Sequence, residues 1–320
     1  MSQIRETENF ITLFDSKFLP MGMALHYSLM THAQSFHLWI LCMDELVESQ
    51  LGQLSLPNVT LIPLKEVETK EMLNVKPGRT AAEYCWTLTP FTPQFVFDRN
   101  PKVQRVTYLD ADLFFFDDPQ ILLDEFSQSE KHVLITDHNY APEYDQSQKV
   151  GRFCVQFVTF RNTLEGQKVL KWWQDRCIEW CFAHKEAGKF GDQMYLDRWP
   201  DLFGSDVHIL SQQDKTLAPW NVAYVFKSKP QPFRPVFFHF HGFRVVSNSS
   251  MLFYRRYWIG PTGQWIYSNY ADAVKVALSI IYHRWKLIPV LPERRTYFDY
   301  ALRNIFRILK RIQYRSFELP

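Results

Sequence analysis

Several things are scarce in this sequence. Five cysteines occur in 320 residues: Cys42, Cys85, Cys154, Cys177 and Cys181. The number is odd and the spacing matches neither a disulfide framework nor a zinc site. A reducing compartment fits such a set. No apolar run reaches the ~18 residues a membrane-spanning helix needs. The opening stretch MSQIRETENF is polar and charged, unlike a signal peptide. Net charge is only +2, too small to point to nucleic acid. Internal repeats and low-complexity segments are lacking. The expectation is a cytoplasmic protein.

Hydrophobic residues make up 46% and charged residues 22%, which suits a globular chain with a sizeable core. Strands are expected over residues 9–14, 36–43, 59–63, 104–110, 132–137, 154–160 and 236–241. Helices are expected over 21–32, 164–184 and 191–199, and over 80–98 with a break near Pro90 and Pro93. In the long helix Leu170, Trp173, Cys177 and Cys181 share one face. Strands alternating with helices argue for an α/β fold with a mostly parallel sheet. From about residue 270 the chain reads as helical and basic. The expected division is one α/β domain over 1–265, followed by a basic helical appendage over 266–320.

Val106-Thr107-Tyr108-Leu109 is an apolar strand that runs into Asp110-Ala111-Asp112. In a parallel α/β sheet, ligands bind beyond the carboxyl ends of strands. Two carboxylates one residue apart at such an end can share a divalent cation, and hard oxygen ligands suit Mg²⁺ or Mn²⁺. Such an ion can neutralise a leaving diphosphate. The bland alternative is a solvated turn. The apolar run Leu113-Phe114-Phe115-Phe116 argues against it, since ionised carboxylates between buried flanks are costly without a cation. Asp117 and Asp118, before Pro119, fit the cap of the next helix. A haloacid-dehalogenase-like phosphatase also places Asp-x-Asp after a strand. It expects Thr or Val where Phe114 stands, and it expects the motif near the start of the fold.

Four segments in order resemble the GT-A glycosyltransferases, and most of all family 8, the glycogenin and lipooligosaccharide galactosyltransferase type. They are Ile11-Thr12-Leu13-Phe14-Asp15-Ser16-Lys17-Phe18, Tyr108-Leu109-Asp110-Ala111-Asp112, Gly191-Asp192-Gln193 and His239-Phe240-His241-Gly242. The resemblance implies a GT-A, Rossmann-like fold, with a nucleotide-sugar-binding half over about 1–120 and an acceptor half over about 121–265. It implies a hexosyltransferase-type enzyme that moves a sugar from a nucleotide-diphosphate sugar, a UDP-sugar by resemblance, to a glycan or glycolipid. Asp15 would contact the base. Asp110, Asp112 and His239 would hold the Mn²⁺ or Mg²⁺, with Gly242 and Arg244 near the diphosphate. Asp192 and Gln193 would lie beside the donor sugar. The chain departs from the family pattern in three places. Cys154-Val155-Gln156 stands where Asn-x-Gly is usual, and Glu83-Tyr84-Cys85-Trp86 where an Arg is usual. Val245 replaces a Lys. Phe91–Phe97, Asp110–Pro119, Trp172–Trp180 and Ala218–Asn221 also resemble uncharacterised bacterial transferases. A protein of this fold that binds without turnover is the alternative from another class.

Single residues carry two readings each. Asp192 is either a helix N-cap or a group that binds donor-sugar hydroxyls or acts as a base. His239 and His241 alternate on a strand, so at most one faces the metal unless the strand bulges. Gly242 would let the backbone approach a diphosphate closely. His138 ends a strand on the expected acceptor side. Trp220 and Asn221 either line an acceptor pocket or form a packed turn. In the tail, Phe298, Leu302, Ile305, Leu309 and Ile312 recur at helical spacing. Arg303, Arg307, Lys310 and Arg311 lie largely off that stripe. This reads as a peripheral element for an anionic membrane surface, on the inner face of the membrane.

Overall fold

The computed structural model describes residues 7–230, 232–254, 256–290 and 313–318. The strands are β1 (Glu8–Phe14), β2 (Phe36–Cys42), β3 (Val59–Pro63), β4 (Arg105–Leu109), β5 (Leu113–Phe115), β6 (Val133–Asp137), β7 (Phe153–Arg161), β8 (Val207–Ile209), β9 (Thr216–Leu217), β10 (Phe237–His239), β11 (Arg244–Ser247), β12 (Ser250–Tyr254) and β13 (Gln313–Ser316). The helices are α1 (Leu19–His32), α2 (Glu45–Leu54), α3 (Lys70–Val75), α4 (Ala81–Leu88), α5 (Thr92–Arg99), α6 (Gln120–Gln128), α7 (Ser147–Val150), α8 (Leu164–Glu179), α9 (Trp199–Phe203), α10 (Val222–Ser228) and α11 (Gly260–Trp285).

A seven-stranded sheet in the order β3-β2-β1-β4-β7-β6-β8 forms the centre. Its β1–β2, β2–β3, β1–β4 and β6–β8 pairings are parallel, and only β7 runs against its neighbours β4 and β6. β1, β2 and β4 are almost wholly buried, as continuous apolar strands covered on both faces must be. One apolar layer packs Tyr84, Leu88, Phe95 and Trp173 over the sheet. The opposite layer packs Leu25, Leu29, Leu122 and Phe126.

A small sheet, β5-β10-β9, sits beyond the end of β4. Its antiparallel β5–β10 pair sets His239 opposite Leu113, the residue after Asp112. β7 is regular along β4, from Arg105 opposite Arg161 to Leu109 opposite Phe157. Along β6 it is not: Leu134 faces Thr159, but Thr136 faces Cys154. β7 therefore carries extra residues there, as a bulge does. The two-residue alternation breaks with it: Val155 and Val158 pack in one layer and Phe157 in the other.

Two expected helices differ in extent. The long helix stops at Glu179, because Arg79 takes the carbonyls of Cys177, Ile178 and Cys181. Cys181 is thus buried beyond the helix and not on its face. The C-terminal helix begins earlier, at Gly260. Its Tyr267, Tyr270, Val274 and Leu278 are buried at spacings of three and four, and Tyr270 stacks on Phe240 at 3.7 Å between ring centres. The buried face of this helix, within residues 266–281, therefore joins the core. The stripe from Phe298 to Ile312 lies outside the described residues. Among the described residues no helix is long and apolar enough to cross a membrane.

Candidate metal centre

Asp110 follows β4 at its carboxyl end. Its main-chain N–H donates to the Gln156 carbonyl at 3.1 Å, and Tyr108 donates its hydroxyl to Oδ1 at 3.0 Å. Asp112 turns into β5, where its carbonyl accepts from Phe240 N–H at 2.9 Å. That bond, with the β5–β10 ladder, brings His239 alongside. His239 Nε2 lies 3.2 Å from Asp112 Oδ1 and 3.6 Å from Asp110 Oδ2. One ligand atom from each of Asp110, Asp112 and His239 falls within 4.8 Å of the others. The set could hold a metal ion.

The electrostatics of the three groups are uneven. Burial, and then repulsion from Asp112, push the Asp110 carboxyl up to about 7, although His239 works against this. Asp112 resists the same burial. His239 and then Arg244 draw it down to about 2. His239 is buried, which opposes its charge, yet Asp112 raises its pKa well above the ordinary value. A half-buried like-charge pair that leaves one carboxyl reluctant to ionise is what a divalent cation would relieve. The donor chemistry of two carboxylates and one imidazole fits Mn²⁺ or Mg²⁺.

The imidazole is oriented from behind. His239 Nδ1 donates to Gln156 Oε1 at 2.8 Å, leaving Nε2 on the side of the carboxylates. Cys154, also on β7, is hydrogen-bonded to both His138 and His239. Burial opposes ionisation of its thiol, but the two histidines bring its pKa down to about 6.

Other expected site residues fall around this cluster. Gly242 has φ of +82°, and nothing lies within 4 Å of where its Cβ would be. The strand expected through residue 241 ends at His239 for that reason: the chain turns, with Phe243 N–H bonded to the Phe240 carbonyl. His241 is exposed beyond the strand, its ring 5.7 Å from that of His239. Strict alternation therefore does not apply to the two histidines, and only His239 joins the metal-type set. Arg244 follows the turn, lies over the Phe18 ring at 5.4 Å and acts on Asp112. Val245 is buried, so no cation replaces the missing Lys from that position.

Asp15 ends β1 and accepts from the N–H groups of Lys17 and Phe18 at 3.1 and 3.3 Å. Asp192 is only 6% exposed and makes no side-chain cap bond to the turn it precedes. Burial, and then the Asp110 charge, raise its pKa well above the ordinary value. Gln193 donates its amide to the Val150 carbonyl at 2.7 Å. Burial, and then the charges of Asp15 and Asp192, push the Cys85 thiol on α4 up to about 12.

Of the residues expected on the acceptor side, His138 is buried. Its Nδ1 donates to the Arg152 carbonyl at 3.0 Å, and its ring stacks on Tyr140 at 4.6 Å. Trp220 wedges between His138 and His239, with ring centres at 5.3 and 5.6 Å. Asn221 sits in the turn that follows Ala218. It is buried, with its oxygen taken by Ala218 N–H and its amide by the His138 carbonyl. Beside Trp220 lie three aromatics that sequence reasoning missed: Tyr144, Tyr257 and the exposed Trp258. Gln156 was missed as a site residue too, although an amide inside the run FCVQFVTF was a visible signal. A cavity of about 540 Å³ is lined by Phe226, Pro232, Phe233, Arg234 and Trp265, none of them an expected site residue.

No protein-family model matches the chain. The uncharacterized protein YfnF of Bacillus subtilis (strain 168) is 33% identical over 255 residues, which cover 75% of this chain and 83% of YfnF. The uncharacterized protein YfnD of the same organism is 30% identical over 276 residues, 82% of this chain and 88% of YfnD. The chain belongs to their family. Among solved structures, the galactosyltransferase LgtC in complex with donor and acceptor sugar analogs is similar, with a TM-score of 0.54 at 13% identity. The match covers 84% of this chain and 95% of LgtC. The apo-form glycosyltransferase GlyE of Streptococcus pneumoniae TIGR4 gives 0.50 at 14% identity, over 91% of this chain and 66% of GlyE. The chain has the GT-A fold of these structures. That fold removes the phosphatase alternative.

Proposed function

We propose that this protein is a metal-dependent glycosyltransferase of hexosyltransferase type, which moves a sugar from a UDP-sugar to a glycan or glycolipid acceptor. The observation that carries this reading is the meeting of Asp110, Asp112 and His239 from two different sheets at the end of β4. Folding alone does not call for a half-buried, mutually repelling pair of carboxylates.

Asp110, Asp112 and His239 would hold Mn²⁺ or Mg²⁺. When bound, the ion supplies positive charge to the departing diphosphate. Asp15 reads the base from the nucleotide half, about 1–120. Arg244 supplies a protein cation near the diphosphate in place of the missing Lys, and the open side of Gly242 admits phosphate oxygens to the backbone. Asp192, with Gln193 beside it, positions the donor sugar. His138 and Trp220, with the aromatic surface of Tyr144, Tyr257 and Trp258, form the acceptor side within residues 121–265. Sugar rings present apolar C–H faces that pack on such surfaces. The protein would work in the cytoplasm, on the inner face of the membrane.

The test is thermal unfolding with a panel of nucleotide sugars, with and without Mn²⁺, followed by assay of sugar release. A ligand at about 100 times its dissociation constant adds roughly 2.7 kcal/mol. The expected result is stabilisation by a UDP-sugar that needs Mn²⁺ and disappears in Asp112→Asn. Stabilisation without turnover would favour a binding protein, as the departures at Cys154–Gln156 and Val245 allow. No stabilisation by any nucleotide sugar would end the proposal.

A further inference from the structure

Gln156 is fully buried in a strand whose other residues are almost all apolar. A buried amide in such a place costs stability unless its groups are paired. Only part of it is paired: Oε1 accepts from His239 Nδ1 at 2.8 Å, while Nε2 has no partner among the described residues. A residue chosen for packing would be apolar here. The same residue touches the cluster twice, since its main-chain carbonyl accepts from Asp110 N–H at 3.1 Å. It sits where β7 breaks its pairing with β6, so the irregular backbone and the unusual side chain coincide.

We infer that Gln156 is a positioning residue for the metal centre. Its carbonyl oxygen fixes which nitrogen of His239 carries the hydrogen and turns Nε2 toward Asp110 and Asp112, while its backbone holds Asp110 in place. This rests on the reading of the three residues as a metal site. A carbonyl acceptor behind a ligating imidazole sets the tautomer and ring orientation. The family pattern has a glycine at the place Gln156 occupies, so this support is supplied by this chain's own side chain.

Two substitutions separate positioning from packing. Gln156→Met keeps the length of the side chain and removes the acceptor. Gln156→Glu keeps an acceptor for Nδ1–H. Binding of Mn²⁺ alone is measured by titration calorimetry on the whole protein, with thermal melts of each variant as a check on folding. The expected result is a 10–100-fold loss of Mn²⁺ affinity in Gln156→Met and affinity at or above the parent level in Gln156→Glu. Should Gln156→Met fail to fold, Gln156→Asn, which withdraws the acceptor by one methylene, must show the loss instead. Equal affinity in parent, Met and Glu variants overturns the inference. If the parent binds no Mn²⁺, or Asp112→Asn binds it unchanged, the metal reading itself fails.

Discussion

Removing charge from Asp110 should make the metal-free protein more stable. In the fold its carboxyl is pushed from 3.8 up to about 7 by burial and by Asp112. The folded protein therefore keeps a proton that the unfolded chain has already released. For an acid raised in this way, stability falls as pH climbs from about 4, and the loss is complete above the folded value. A rise from 3.8 to about 7 corresponds to about 4 kcal/mol at 1.36 kcal/mol per tenfold step. The Asp110 side chain is 28% exposed, and water at that face screens the effect to about 2 kcal/mol. Asp110→Asn keeps the shape and can still accept from Tyr108. Its midpoint in chelator at pH 8 should exceed the parent's by roughly 4 °C, at about 2 °C per kcal/mol for a chain of this size. The gap should shrink toward pH 5 and stay level above pH 7. Added Mn²⁺ should reverse the order, since the parent gains a ligand and the variant binds it weakly. The assay is differential scanning fluorimetry at several pH values, in chelator and in Mn²⁺. A variant less stable than the parent in chelator at pH 8, or a gap independent of pH, would refute the reasoning.

Asp192→Asn should melt at least as high as the parent in chelator, because no cap bond is lost and the carboxyl that burial and then Asp110 make reluctant to ionise is replaced by a neutral amide. Its turnover with whichever nucleotide sugar the panel selects should fall at least tenfold. A lowered melting point with unchanged turnover would return Asp192 to a structural role. The basic amphipathic segment from Phe298 to Ile312 is proposed to dock on anionic membrane, at about 1 kcal/mol per basic contact. The whole chain should sediment with anionic vesicles and leave them at high salt, and a chain ending near residue 290 should not sediment. Equal sedimentation of the two would make the tail a packing element.

The central sheet was legible because its strands are unbroken apolar runs. β1, β2, β3, β4 and β7 lie within a residue or two of their expected bounds. The pairing of β7 against its neighbours was not legible, because strand direction depends on connections and leaves no mark on periodicity. Asp110 and Asp112 stood out through their apolar flanks, and His239 only through family likeness. The partner that orients His239 was hidden for another reason. Gln156 is polar at one position of a buried strand, and its purpose appears only when residues from distant parts of the chain meet. The end of the long helix was missed because Arg79, far away in sequence, takes its last carbonyls. The turn after His239 could have been read from Gly242 alone.

The uneven edges of β7 have a consequence for how this protein can change. A strand held in step on both sides transmits any gain or loss of a residue to the entire sheet. β7 is in step with β4 and out of step with β6. One residue removed at Val155 would leave the β4 ladder standing and shift the stretch before it, where Cys154 and Phe153 pair with β6. The scaffold and the floor of the metal pocket can therefore drift at different rates. Cys154-Val155-Gln156, where the resembled family has Asn-x-Gly, spans that break: Cys154 pairs with β6 while Gln156 stays tied to Asp110, so the β6 side can change while the β4 side holds.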